Sequence, residues 1–421
     1  MQPYHDLPPP ELCPACEPPA ILGTAVLTTA AMHGMGMETL AGLIDRSDPD
    51  PVARLYDTGI LRQLEQRREN GLALIDAALS GSPLFRVRGQ PLRAATLRVL
   101  ALAAPGDLMV NTPLDFITNH LDVQLDVLFL VPGRPLPDVI PDHDLMFVAI
   151  SEAGPDDLAR IRALCAAWPR PVLNDPAALP VLARDALSRR LAGIPGLHCP
   201  TTIRATRAML ERVCERPPAL KLLLPDAAYP LLLRPAGSHA GAGLLKLEDA
   251  AALAAGLGGS GAAEFYVARF VDYRSSDGMF RKYRVVFIAG VPFLCHMAVS
   301  AHWMVHYLNA GMMACAHKRD DEARAMAGFD RGFAARHARA FAAINKALPF
   351  DVFSIDCGEL PDGRLLVFEA DTAAIIHAMD PVDLFPYKQV QMRRVFDAFG
   401  ALLRRTAGSR TFSRGVQTCV V

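Results

Sequence analysis

The densest run of reactive side chains is Phe353-Ser-Ile-Asp-Cys-Gly-Glu-Leu-Pro-Asp-Gly-Arg-Leu-Leu-Val-Phe-Glu-Ala-Asp371. Asp362-Gly363 between apolar stretches predicts a hairpin with a two-residue loop. Pro361 then pairs with Arg364, and Asp356 falls directly across from Glu369. Directly opposed residues share a face, and Asp371, two residues on, shares it too. Like charges placed together cost stability unless something neutralises them. An oxygen-only ligand set of Asp356, Glu369 and Asp371 suits Mg²⁺ or Mn²⁺. The competing readings are plain solvent-face acids, or a pairing slipped by one residue, which turns Asp356 to the other face. Leu365 and Val367 fall on the Glu369 side, which is unusual for a purely solvated face.

Three further segments carry chemistry. Tyr229-Pro-Leu-Leu-Leu-Arg-Pro-Ala-Gly-Ser-His-Ala-Gly-Ala-Gly243 ends a strand at Arg234 and continues as a Gly-rich loop. Such a loop lets backbone N–H groups approach phosphate oxygens, and Arg234 adds a bidentate fork. No Gly-Lys-Ser/Thr follows, so it is not a Walker A loop. Lys282 and Arg284 share one face of an apolar strand and call for anionic partners, phosphate among them. His302 and His306 stand four apart with Trp303 and Tyr307 beside them, followed by Lys318 and Arg319. No Glu follows His302 as in H-E-x-x-H, so substrate recognition is favoured over zinc. Cys13-x-x-Cys16 lacks the second pair that a structural zinc needs.

These residues must be positioned by the surrounding elements. Residues 1–19 are Pro-rich and expected to be loose, and 20–94 read as a helical module. Short apolar strands alternate with a helix over 95–180, the texture of an open α/β sheet. An α+β module follows over 181–405, and the tail 406–421 is expected to fray. The whole chain of 421 residues is 51% hydrophobic, which excludes a largely disordered protein. Its 43 basic and 44 acidic residues argue against coating nucleic acid or an anionic membrane. Nine scattered cysteines fit a reducing compartment, so a cytoplasmic location is expected.

Taken in order, these pieces are a strand ending Arg-Pro, a Gly-rich loop, a linker strand and an Arg-bearing strand. Asn309-x-Gly311 follows, then Asp356 and Glu369-x-Asp371. That order over 178–405 resembles the ATP-grasp ligases, nearest the RimK-like and glutathione-synthetase-like branch. Ile194-Pro-Gly-Leu-His-Cys-Pro-Thr201 resembles the segment leading into that fold. The resemblance implies an α+β ATP-grasp fold preceded by a small α/β domain, with ATP and Mg²⁺ as cofactors. It implies Asp356, Glu369 and Asp371 on the metal, and Arg234, Ser238, His239, Gly241 and Gly243 around the phosphates. Ala268, Arg269, Phe270 and Val271 would meet adenine. Arg284 would face the transferred phosphate with Asn309 assisting, and His302, His306 and Lys318 would recognise substrate.

The implied activity is joining a carboxylate to an amine through an acyl phosphate, with small molecules or peptides as substrates. A phosphotransferase and a non-catalytic ATP-binding scaffold are the rival outcomes. Residues 20–94 are then the expected docking surface for a protein partner or a second copy. Arg234 stands where Lys is common and Asp371 where Asn is usual. His377 and Asp380 replace a Pro-Gly ending.

Overall fold

The computed structural model describes residues 10–47, 49–88, 96–238 and 241–408. The chain divides into two units. One comprises residues up to Leu179, Phe350–Phe353 and the segment from Thr372. The other comprises Pro180–Pro349 and Ser354–Asp371.

The first unit is built on strands β1 (Glu11–Cys13), β2 (Ala20–Ile21), β3 (Leu84–Val87), β4 (Leu97–Ala103), β5 (Val123–Phe129), β6 (Val139–Pro141), β7 (Leu145–Val148) and β8 (Val172–Leu173). Six of them form one sheet in the order β2-β3-β5-β4-β7-β8. Only β3 and β5 run antiparallel in it. Val99 to Ala103 of β4 are buried on both faces, as a central parallel strand requires.

Four helices connect β2 to β3: α1 (Thr24–Met32), α2 (Met37–Ser47), α3 (Pro51–Leu64) and α4 (Arg68–Gly81). Asp50 starts α3 by accepting the Val52 and Ala53 N–H groups at 2.7 and 3.4 Å, with Pro51 in the first helical position. Helices α3 and α4 cross backbone to backbone at two glycines. A Cβ on Gly71 would stand 2.6 Å from the Gly59 carbonyl oxygen, and one on Gly59 would stand 2.9 Å from that of Gly71.

Two boundaries differ from expectation. The helices of 20–94 are not a separate module, because the apolar ends of that stretch become β2 and β3 of the sheet. The stretch 181–405 is not one domain, because Thr372 onward packs with the first unit. Helix Pro386–Gly408 there buries Met392, Val395, Phe396, Phe399, Leu402 and Leu403, with Phe399 6.1 Å from Phe147 of β7. Within the Pro-rich start, residues 11–13 are ordered as β1, parallel to β6. The remainder of that segment before residue 10, and the tail after 408, lie outside the described residues.

The second unit is α+β, with two sheets. Its strands are β9 (Leu197–His198), β10 (Thr202–Thr206), β11 (Leu231–Pro235), β12 (Leu245–Leu247), β13 (Glu264–Arg269), β14 (Phe280–Ile288), β15 (Val291–Ser300), β16 (Val352–Glu359) and β17 (Leu365–Asp371). One sheet is antiparallel, β10-β13-β11-β12, over a core that includes Leu231, Leu233, Phe265 and Val267. The other runs β15-β14-β16-β17-β9. Among the described residues no helix is long and apolar enough to cross a membrane.

Candidate active site

Asp356 and Glu369 do face one another across β16 and β17, and Ser354 faces Asp371. The route to that register is not the expected one. The hairpin closes at Leu360 and Arg364 around a three-residue loop, whose Gly363 takes φ +82°. A glycine there is what a three-residue hairpin loop requires. The loop puts the pairing one residue out, with Cys357 opposite Val367. A bulge at Phe368 then restores it at Asp356 and Glu369. The bulge also resolves the unusual face. Leu365 and Val367 turn to the side of Cys357 and are fully buried, while Asp356 and Glu369 keep the opposite side.

Cations converge on that side. Lys282 Nζ donates to Asp356 Oδ2 at 2.8 Å. Arg284 donates through Nε and Nη2 to Oδ1 and Oδ2 at 2.8 and 3.0 Å. The anionic partner called for by the Lys282–Arg284 face is therefore Asp356. Arg184, on helix Arg184–Leu191, donates to Glu369, and Arg234 Nη1 lies 3.9 Å from Glu369 Oε2. Burial alone would raise the Asp356 pKa, yet Arg284 and Lys282 hold it well below the ordinary range. Burial opposes the Arg284 charge in the same way, and Asp356, Glu369 and Asp371 outweigh it. Glu369 is lowered as well: Arg184 prevails over burial, helped by Lys282 and Arg234 and opposed by Asp356.

Asp356, Glu369 and Asp371, the expected metal triad, lie on one face of the hairpin. Among the described residues no group of three or more His, Cys, Asp or Glu side chains is gathered to hold an ion. Two of the three carboxylates are engaged by Lys and Arg instead, because buried charges require partners.

The Gly-rich loop joins β11 to β12 as a hairpin, with Gly237, Gly241 and Gly243 at φ of 73°, 77° and 68°. Arg234 Nε donates to Ser238 Oγ at 3.0 Å, so Ser238 is braced against the strand end. A Cβ on Gly243 would stand 2.9 Å from the Pro235 ring. His239 lies outside the described residues. The expected adenine linker is mostly inside the sheet. Ala268 and Arg269 end the central strand β13, and the Phe270 N–H donates to Pro230 O at 2.9 Å. Val271 lies beyond the strand end. The Phe270 ring meets Trp303 edge-on at 5.6 Å and carries Lys246 Nζ at 4.5 Å from its centroid.

The residues expected around the substrate separate. His306 belongs to the charged face electrostatically: burial first, then Lys282 and Arg284, lowers its pKa and keeps it neutral. Asn309 is exposed and caps a short turn by accepting the His306 N–H at 3.1 Å. Lys318 donates to the Ala310 carbonyl oxygen, and His302 is exposed. One participant escaped the motif reading: Arg184 sits in no motif, and only the tertiary fold brings it to Glu369. Tyr307, named with the histidine segment, packs 4.7 Å from His296, which stands opposite Arg284.

No family model and no curated protein matches the chain. Among solved structures it is similar to a RimK-domain ATP-grasp protein from Sphaerobacter thermophilus, at 16% identity and a TM-score of 0.41, over 73% of this chain and 98% of that one. It is similar to a D-alanine:D-serine ligase from Enterococcus faecalis, at 13% identity and a TM-score of 0.45, over 73% and 99% of the two chains. It is similar too to the D-alanine–D-alanine ligase from Coxiella burnetii, at 12% identity and a TM-score of 0.47, over 76% and 98%.

Proposed function

We propose that this chain is an ATP-dependent carboxylate–amine ligase of the ATP-grasp type. The observation that carries the reading is a cluster of opposite charges around one sheet face. Arg184, Arg234, Lys282 and Arg284 stand against Asp356, Glu369 and Asp371. A magnesium polyphosphate brings both signs together. Its phosphates can take over the cations while the ion takes the carboxylates, and no buried charge is left alone. The all-oxygen donor set fits such an ion, which Asp356, Glu369 and Asp371 would hold. When bound, Mg²⁺ supplies positive charge to the phosphates.

The chain's own residues do the rest. Lys282 and Arg284, released from Asp356, neutralise charge on the transferred phosphate. The hairpin from Ser238 to Gly243 shields the phosphates from water, which would hydrolyse an acyl phosphate. In the first step the substrate carboxylate attacks the γ-phosphate and ADP leaves. In the second the amine displaces phosphate and gives up a proton, forming the amide. His306, whose pKa is lowered by burial and then by Lys282 and Arg284, offers a hydrogen bond to the substrate.

Calorimetry with ATP tests the reading. Binding with Mg²⁺ that is lost on chelation, followed by hydroxamate formation when substrates are screened with hydroxylamine, is the expected result. Absence of nucleotide binding by the folded protein overturns it. The internal ion pairing of Asp356 and Glu369 favours one alternative, a non-catalytic ATP-binding scaffold. Tight MgATP binding without any hydroxamate identifies that case.

A further inference from the structure

Strand β4 has β5 on one side and β7 on the other, so the chain reverses direction across the sheet there. Crevices at the carboxyl ends of parallel strands at such a reversal are the usual ligand positions in open α/β sheets. A cavity of about 80 Å³ lies at that place within the first unit. Ala103, Phe129 and Ala149, which end or follow β4, β5 and β7, line it. Ile60 of α3 and Ile75 of α4 give it apolar walls.

Its polar groups have one sign. Among the described residues that line it there is no lysine, arginine or histidine. Asp107, which lines it, is paired with Arg68 at 2.8 Å. Asp115 is 6% exposed, and its Oδ2 accepts the Ala25 N–H at 2.7 Å. Burial pushes its pKa up, against backbone N–H groups led by that of Ala25. Those partners are neutral backbone groups, and none of them brings a counter-charge to the carboxylate. Tyr56 also lines the cavity. Its ring packs 4.9 Å from Phe85 and 5.6 Å from Phe129. Burial, then Asp115 and Asp57, keeps its phenol neutral. Among the described residues the Tyr56 hydroxyl makes no hydrogen bond.

We propose that this cavity binds a small apolar primary amine. The ammonium group sits at Asp115 and Tyr56, and the hydrocarbon body lies against Ile60, Ile75 and Phe129. An ammonium gives a buried carboxylate the counter-charge that the described lining does not supply. A carboxylate or phosphate ligand would meet Asp115 with no cation to receive it. The inference rests on the first unit alone and does not depend on nucleotide binding by the second.

The test is calorimetry on the full chain at neutral pH with isoamylamine, isoamyl alcohol and isovalerate, which share one hydrocarbon body. The amine is expected to bind about tenfold or more tightly than the alcohol, the weight of one charge-assisted hydrogen bond. Isovalerate is expected not to bind. Asp115→Asn should bring the amine down to the level of the alcohol, and Tyr56→Phe should weaken both. Isovalerate binding as tightly as the amine overturns the proposal. So does an unchanged amine-over-alcohol ratio in Asp115→Asn, or no binding by any of the three. Asp115 also caps α1, so the variant's fold is checked by circular dichroism. If it fails to fold, unchanged amine affinity in Tyr56→Phe overturns the proposal on its own.

Discussion

Asp356 and Glu369 stand opposite each other but in different surroundings, and their substitutions should behave differently. Asp356 is 3% exposed and holds two cations, whereas the Glu369 side chain is 31% exposed. Breaking a buried pair by removing one partner leaves the other charge stranded, at about 3 kcal/mol. Asp356→Ala should therefore lower unfolding stability by about that amount in urea titrations. Glu369→Gln should cost less than about 1 kcal/mol, since partly exposed pairs contribute little. It should nevertheless abolish Mg²⁺-dependent ATP binding in calorimetry. A fully active Glu369→Gln protein would remove that residue from the site.

At the scale of elements, the β16–β17 hairpin shows how a register can be correct for an incomplete reason. The expected two-residue loop and the missing bulge are each one residue in error, and the two offsets cancel at Asp356. Alternation at Leu365 and Val367 carried the sign of the bulge, since apolar residues on a charged face are anomalous. The far end of β16 carries a pH-sensitive pair. Glu359 lies 2.8 Å from Arg336 and 3.5 Å from His337. His337 first, then Arg336, lowers its pKa to about 2 against the pull of burial.

Because the folded pKa lies below the unfolded value of about 4.3, that stability is complete above the unfolded pKa. It is lost as pH falls towards the folded value. Glu359→Gln should flatten this acid loss in urea midpoints measured against pH. The α3–α4 crossing makes a second prediction. Gly71→Ala should destabilise by about 1–3 kcal/mol, because its Cβ meets backbone that cannot yield. Unchanged stability on chemical denaturation would mean that the helices do not meet at those glycines.

At the scale of the molecule, the first unit is assembled from both ends of the chain. Helix Pro386–Gly408 sets Phe396 4.2 Å from His120 and Phe399 6.1 Å from Phe147. Ending the chain at Asp371 removes those apolar side chains from the unit that begins the sequence. Hydrogen exchange should then show lost protection in β4 and β7, far away along the chain, and retained protection there would place the helix outside that core.

The sequence by itself determined the α+β character of the second unit, the carboxylate hairpin and the pairing of Lys282 with Arg284 on one strand face. These depend on period-two alternation and on local turn chemistry, which neighbouring residues set. Tertiary structure alone decided what those side chains touch. Arg184 reaches Glu369 from 185 positions away in the chain, and Asp356 lies 74 positions from Lys282. It also decided that Ala20–Ile21 and Leu84–Val87, on either side of the four helices, belong to a sheet, because a two-residue strand such as β2 has no pattern of its own and exists only through its partner. Burial and charge pairing are properties of what the fold brings together, and spacing along the chain does not contain them.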